Sequence, residues 1–482
     1  MKIKSIELTN NSFFGNLSID FVDSSGNIMD NVVIAGENGC GKTQFLNIIY
    51  DFFDFSLRKI GGNEVRTFVF CLTPDELNQI QGYLGNNNKL QNPTGVIKIT
   101  KNFQQADSWN GTQILYESLD SNGNLSWCSI APYTLLDNAD IKKFFKAIFS
   151  TVEINYKPKE SNNITSNEID EEVQKSLQSG DNLATEIQQL FIDIQANDAN
   201  DLQIWVDNNP GVAPPTNITN TRIKRFKNAF STIFTNLNYS RIATTGNKKK
   251  VYFIKGTQDI DISALSSGEK QIVFRGAFLL RNQQSIKGCT VLIDEPEISL
   301  HPVWQDKIFE YYRNLFIDSS NQPTSQIFMA THSQYVLKSG LMHCNNTLII
   351  LFNHNGSSVN VRKITAPLVL PTVTSAELNY VAFDILSSDY HIELYGNLQN
   401  KIAHLNGAPE CSVKQCDTYI TQQSEYNVAT HRKPSSHTTR YGTTNYETLC
   451  TYIRNAIDHP DPSRTFSEAE LRTSIELLIK LC

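Results

Sequence analysis

The chain has 482 residues, 40% hydrophobic and 19% charged, enough apolar material for two or three cores, which excludes a disordered tail. Forty-two Lys and Arg against 49 Asp and Glu leave a net charge of −7, so a global basic field for nucleic acid is excluded and only a local patch could make such contacts. Nine irregularly spaced cysteines read as reduced thiols, and residues 1–20 lack an apolar leader, so a cytoplasmic protein without membrane contact is expected.

The segments KIKSIELTN, LSIDF and NVVIAG alternate or run apolar over strand lengths, and the last stops at Gly36, before the helical spacing of FLNIIYDFF. Between them GENGCGKT matches the phosphate-loop pattern G-x-x-x-x-G-K-[ST]. Gly36, Glu37, Asn38, Gly39, Cys40 and Gly41 are the expected nucleotide contacts, the glycines letting backbone N–H groups approach the β-phosphate. Lys42 is expected to bridge the β- and γ-phosphates, and the Thr43 hydroxyl to ligate Mg²⁺.

From residue 85 to 250 Asn, Gln and Ser become abundant, and DIKKFFKAIFS and NLATEIQQLFIDI look helical. The expectation is a mainly helical insertion, with NNPGVAPPTN (208–217) as its internal linker and no sustained heptads. TRIKRFKNAF and GNKKKVYF bring Arg222, Lys224, Arg225, Lys227, Lys248, Lys249 and Lys250 among aromatics. Such a set can hold nucleic-acid backbone, but a solvated helix face and a hairpin tip are the favoured account.

KKVYFIKG, CTVLIDEP, SQIFMATHS and TLIILFNH are strands alternating with helices, which predicts an α/β core begun in residues 1–84 and resumed in 251–365. ALSSGEKQIVFRG opens a helix with Ser266, Ser267, Gly268 and Glu269, a second site suited to phosphate. TVLIDEPE ends a buried strand in two acids, Asp294 to hold a metal and Glu295 to position water. His332 ends a neighbouring strand, where it can reach a γ-phosphate.

These motifs, with Ser299-Leu-His-Pro302 between the acids and His332, occur in the order of the Walker A, signature, Walker B, D-loop and switch-histidine motifs of ABC-class ATPases. The LSSGEK form and the DEPE–SLHP pairing resemble the branch of RecF, SMC, Rad50 and OLD-like proteins, and most closely the Septu-type, retron-associated anti-phage defence ATPases. The resemblance implies ATP and Mg²⁺ as cofactors, Glu295 and His332 as catalytic residues, and an ABC-ATPase core with a helical insertion and a mainly helical C-terminal extension. It also implies a homodimer or higher even oligomer, in which Ser266 and Gly268 face the nucleotide held by the partner's Lys42. The Q-loop is not assigned: Gln79, Gln81, Gln91, Gln104 and Gln105 all compete.

Residues 366–482 are expected to couple to a partner, and their texture resembles the tails of anti-phage ABC ATPases found beside a separate nuclease. Ser467 and Glu470 form a capping box, with Phe466 and Leu471 as a staple, and Leu471, Ile475 and Leu478 line one face of a terminal helix. Arg454 and His459 fit the R-x4-H pattern of HEPN ribonucleases, against the favoured alternative of an Arg454–Asp458 ion pair on a helix. Cys411, Cys416, His431 and His437 offer Zn²⁺ ligand types at loose spacing, with a polar loop as the favoured account. No D-x-D strand end marks a nuclease domain. The expected role is an ATPase that senses or regulates a separate nuclease of HNH type, with a retron reverse transcriptase and its nucleic acid as further candidate partners. The rivals are a RecF- or Rad50-like repair ATPase on duplex DNA and a self-sufficient HEPN-type ribonuclease.

Overall fold

The computed structural model describes all residues except 54–62, 104–110, 153–175, 179–181, 216–217, 219–221, 246–247, 282–287, 319, 344, 355–358 and 440–441. Of the sequence expectations, Gln104, Gln105, Thr221, Gly246 and the end of the 208–217 linker lie outside the described residues. The chain divides into two units, Met1–Lys363 and Ile364–Cys482, each described by itself.

The first unit opens with β1 (Lys2–Asn11), β2 (Gly15–Asp20) and β3 (Asn31–Gly36), followed by α1 (Lys42–Phe53), β4 (Val65–Cys71) and α2 (Pro74–Tyr83). A Thr73–Glu76 capping box and Pro74 in the first turn start α2. Next come β5 (Pro93–Asn102), β6 (Thr112–Leu119), β7 (Leu125–Ile130), α3 (Pro132–Leu136), α4 (Ala139–Lys142), β8 (Ala147–Ser150) and β9 (Ser176–Gln178). The helices α5 (Leu183–Asn208) and α6 (Arg222–Ile233) precede β10 (Leu237–Thr245), β11 (Lys248–Lys255) and β12 (Gln258–Asp261), which form a small sheet.

The α/β core resumes with α7 (Ser267–Arg281), β13 (Thr290–Asp294), α8 (Pro302–Leu315), β14 (Gln326–Thr331), α9 (Gln334–Met342), β15 (Thr347–His354) and β16 (Val359–Ile364). Its sheet runs β16-β15-β3-β14-β13-β8-β9, and the pairings from β15 to β9 are parallel. β3, β13 and β14 are buried at every residue, as a parallel strand covered on both faces requires.

A second sheet, β2-β1-β4-β5-β6-β7, is antiparallel throughout. β5 alternates buried and half-buried residues, the signature of one packed face. Helix α1 fills the space between the sheets: Phe52 stacks on Phe68 of β4 at 3.7 Å, and Phe45 meets Phe352 of β15 edge-on at 5.3 Å. Buried Gln326 locks the two sheets together, donating to the Ile3 and Met29 carbonyls at 3.0 Å each and accepting the Ile3 N–H at 2.6 Å.

Residues 85–250, expected to be mainly helical, are mixed over the described positions. β5, β6 and β7 extend the antiparallel sheet directly from β4, and AIFS is the core strand β8 rather than the end of a helix. The apolar face of β5–β7 is hidden in a sequence whose other positions are polar, and a four-residue apolar run carries no period that distinguishes strand from helix.

The second unit is mainly helical: α10 (Ser375–Phe383), α11 (Ser388–Leu405), α12 (Val413–Thr421), α13 (Val428–His431), the hairpin β17 (Arg432–Thr439) and β18 (Gly442–Thr448), α14 (Leu449–Asp458) and α15 (Glu468–Leu481). The terminal helix starts at the Ser467–Glu470 capping box and buries Leu471, Ile475 and Leu478. Buried Asp417 ties α12 to the hairpin and α14 by accepting the Glu447 and Thr448 N–H groups and the Thr448 hydroxyl. His391 is fully buried against Ser474 at 2.8 Å, and burial pushes its pKa down to about 3, so it stays neutral.

Candidate functional site

Three adjacent parallel strands, β3, β14 and β13, end side by side, with Thr331 level with Ala35 and Asp294 level with Ala330. The loops leaving their carboxyl ends therefore meet at one edge of the sheet, where open α/β sheets bind ligands. They carry residues 36–43, the pair Asp294 and Glu295, and His332.

The 36–43 loop is shaped by what cannot fit around it. At Gly36, φ is +146°, and a Cβ would stand 2.1 Å from the Phe352 carbonyl oxygen; at Gly41, φ is +94°, and a Cβ would enter the Phe13 ring at 2.4 Å. Glycine alone lets the backbone turn there and then open α1, whose first N–H groups have no intrahelical partner. Glu37, Asn38 and Gly39 are exposed, whereas Cys40 is buried and its thiol pKa is raised by that burial.

Lys42 is 4% exposed, and its Nζ donates to the Gly36 and Glu37 carbonyls at 2.9 Å each. The same ammonium lies 3.4 Å from His332 Nδ1, and His332 Nε2 is 3.2 Å from Glu295 Oε1. A nitrogen facing an ammonium must accept, so this arrangement selects the tautomer that carries its proton on Nε2 and donates it to Glu295. The bond from His332 holds the Glu295 carboxyl below its ordinary range.

Thr43 Oγ1 donates to Asp294 Oδ1 at 3.1 Å. Burial pushes the Asp294 pKa up to about 6, against the Thr43 hydrogen bond that favours the charged form. A hydroxyl and a carboxylate converging at the mouth of a glycine loop are the oxygen donors Mg²⁺ takes alongside phosphate, so these residues fit that ion. Glu295 and Ser299 hold positive φ of 42° and 61°, a strained backbone of the kind concentrated at functional sites.

The second phosphate-suited loop lies elsewhere. Ser266 and Ser267 are exposed, while Gly268 is buried so closely under the Ser299 carbonyl oxygen that a Cβ would come within 2.6 Å. Ser266 N–H donates to Glu269 Oε2 at 2.8 Å, Glu269 N–H donates to Ser266 Oγ at 3.3 Å, and Lys255 pairs with Glu269 at 2.8 Å. Among the described residues no hydrogen bond joins this loop to residues 36–43.

Three buried side chains around the site were not singled out from sequence. Arg275 on α7 donates to Ser150 Oγ, the Ser150 carbonyl, the Asp294 carbonyl and the Glu295 carbonyl at 2.6–3.2 Å, joining the ends of β8 and β13. Gln271 donates to the Pro296 carbonyl at 3.0 Å, and Glu297 accepts from the segment that carries His332. The available signal was a charged residue inside the apolar helical run QIVFRGAFLL.

Several other candidates do not assemble. Gln79 and Gln81 lie on α2, where Gln81 is bonded in both directions to Leu90, and Gln91 precedes β5. In the basic cluster Arg222 is paired with Asp198 and Asp201, Arg225 donates to the Leu280 carbonyl, Lys227 covers the Tyr239 ring, and Lys250 pairs with Asp261, so at least four of its seven side chains make contacts within the chain. Arg454 pairs with Asp458 at 2.6 Å while His459 stacks on His437 at 4.9 Å, which is the ion-pair account rather than a converged R-x4-H site. Cys416 is buried and His431 Nδ1 accepts the Asn427 N–H; among the described residues no group of three or more His, Cys, Asp or Glu is arranged to hold a metal. No helix among them is long and apolar enough to cross a membrane.

Residues 135–338 match the AAA_21 family model, described as "AAA domain, putative AbiEii toxin, Type IV TA system". The match takes in residues 266–269, Asp294, Glu295 and His332, so this part of the chain is of ATPase type. A search of curated proteins finds no significant match. Among solved structures, the chain is similar to an Smc head bound to the C-terminal winged-helix domain of ScpA, at 12% identity and a TM-score of 0.42, over 76% of this chain and 98% of that one. It is also similar to an Smc head with an extended coiled coil bound to the C-terminal domain of ScpA derived from Pyrococcus furiosus, at 11% identity and a TM-score of 0.40, over 75% and 96%. An SMC head domain from Thermotoga maritima follows at 12% identity and a TM-score of 0.36, over 76% and 100%.

Proposed function

We propose that the protein is a Mg²⁺-dependent ATPase that closes as a homodimer around nucleotide and controls a separate nuclease in a bacterial antiviral defence complex. The observation that carries the ATPase part is the convergence of Lys42, Thr43, Asp294, Glu295 and His332 at the ends of three neighbouring strands.

Each residue has a task set by its geometry. The backbone N–H groups of residues 36–43 and the start of α1 bind the β-phosphate, and Lys42 exchanges its two carbonyl partners for phosphate oxygens. Thr43 and Asp294 would hold Mg²⁺, which would supply neutralisation of phosphate charge. Glu295 accepts a proton from the attacking water as its bond to His332 is exchanged, and His332, freed at Nε2, donates to the γ-phosphate.

Dimer closure is supported by the exposed Ser266 and Ser267 at the N-terminus of α7, with no bond to their own chain's phosphate loop among the described residues. A partner's γ-phosphate would complete that loop, so closure depends on ATP and its hydrolysis reopens the clamp. The defence assignment, with an HNH-type nuclease and a retron reverse transcriptase as candidate partners, is supported by the motif resemblance. The toxin–antitoxin description of the matching family model points the same way.

The test pairs an activity with an assembly. Wild-type protein hydrolyses ATP with Mg²⁺, and Glu295→Gln slows turnover at least about 100-fold while accumulating an ATP-bound dimer on size exclusion. A Glu295→Gln protein that turns over normally sinks the ATPase assignment. In the native host, the trapped protein retains a nuclease in fixed ratio; recovery of DNA alone sinks the defence assignment.

A further inference from the structure

Glu297 lies two residues beyond Glu295, in the turn that leaves β13, yet its side chain turns toward the neighbouring strand rather than into water. The residue is 8% exposed. Its Oε1 accepts two hydrogen bonds, from the Thr331 hydroxyl at 2.8 Å and from the His332 N–H at 2.6 Å. Thr331 Oγ1 accepts the Ser333 N–H at 3.0 Å, so the three residues 331–333 are gathered on one carboxyl group.

This is an expensive place for a carboxyl. Both bonds come from neutral donors, Oε2 has no partner, and burial raises the pKa of the group. A turn that only needed its N–H groups satisfied could have left them to water at lower cost. What the carboxyl accomplishes is directional: it fixes the main chain from which the His332 side chain departs. The imidazole then lies 3.4 Å from Lys42 Nζ and 3.2 Å from Glu295 Oε1. A misplacement of one ångström at such a group is enough to slow chemistry substantially.

We infer that Glu297 is a positioning residue for hydrolysis, holding the His332 main chain through Oε1 so that the imidazole meets both Lys42 and Glu295. It touches no nucleotide and acts on turnover through His332. The inference rests on the ATPase reading of the site.

The test is steady-state ATP hydrolysis by the full chain, with nucleotide binding measured separately. Glu297→Ala lowers kcat at least about tenfold and leaves KM and the ATP Kd within about twofold. Should the alanine variant fail to fold, Glu297→Asp carries the same expectation, since it keeps the carboxyl but falls one methylene short of the His332 N–H. Glu297→Gln can still accept both bonds and retains kcat within about threefold. In a His332→Ala background the Glu297 substitution produces no further loss, because the group it positions is already gone. An equal loss in both backgrounds, or a loss seen in KM rather than kcat, would mark Glu297 as structural and overturn the inference. Hydrolysis abolished by Glu295→Gln but indifferent to Glu297→Ala and Glu297→Asp overturns this inference alone. No hydrolysis by the wild-type protein overturns the ATPase reading and this inference with it.

Discussion

Asp294 is a buried carboxyl of the candidate site, bonded to the Thr43 hydroxyl. Burial pushes its pKa up to about 6 from 3.8, so the folded, nucleotide-free protein binds that proton more tightly than the unfolded chain does. Stability from this group is therefore present at low pH and is lost as pH rises through the interval from about 4 to about 6. Asp294→Asn removes the penalty and should raise the Tm of the nucleotide-free protein at about pH 7.5, with no gain at about pH 4. ATP with Mg²⁺ then reverses the order at the higher pH, stabilising the wild type much more than the variant. Calorimetry at the two pH values, with and without ligand, reads all four terms. An unchanged Tm for the nucleotide-free variant at about pH 7.5 would show that the carboxylate is better solvated than its surroundings indicate.

Among the elements, α7 joins two functions, because the helix opened by Ser266–Glu269 also carries Arg275 to the ends of β8 and β13. Arg275 is 1% exposed, and its charge is compensated by three carbonyl oxygens and a hydroxyl. Arg275→Met should cost about 3 kcal/mol or more in chemical denaturation, since it leaves those carbonyls without a donor, and Arg275→Lys should not restore it because an ammonium lacks the planar fork. A loss below about 1 kcal/mol would mean that water replaces the guanidinium. This link was not legible in the sequence, where Arg275 is one charge in an apolar helix whose partners are remote along the chain. The elements around the site were legible for the opposite reason: NVVIAG, TVLID and SQIFMAT are continuous apolar runs ended by residues with evident chemistry. β5–β7 escaped because a sheet with one open face spreads its apolar residues among polar ones. Glu297 escaped because its role depends on which strand lies beside β13.

For the whole molecule, the two units differ in how they are assembled from the chain. The seven-stranded sheet of Met1–Lys363 is built from distant segments: β3 lies between β14 and β15, and β8 pairs with β13, so its strands are drawn from positions between Asn31 and Ile364. Residues 366–482 instead form a self-contained core within a length of about 120 residues, ample for a single cooperative domain. Tyr390, Leu394, Leu398, Ile453, Ile475 and Leu478 are at its centre, and Ser412–Gln415 and Ser467–Glu470 cap its helices. A fragment starting at residue 366 should therefore fold alone, with helical far-UV circular dichroism and one sharp thermal transition. The fragment 1–365 should keep ATP binding, because residues 36–43, Asp294, Glu295 and His332 all lie within it. A fragment 366–482 that melts without cooperativity would mean that its core is completed by the rest of the chain. If both fragments fold and the shorter one alone retains a nuclease from host extract, the contact with that partner is carried by residues 366–482.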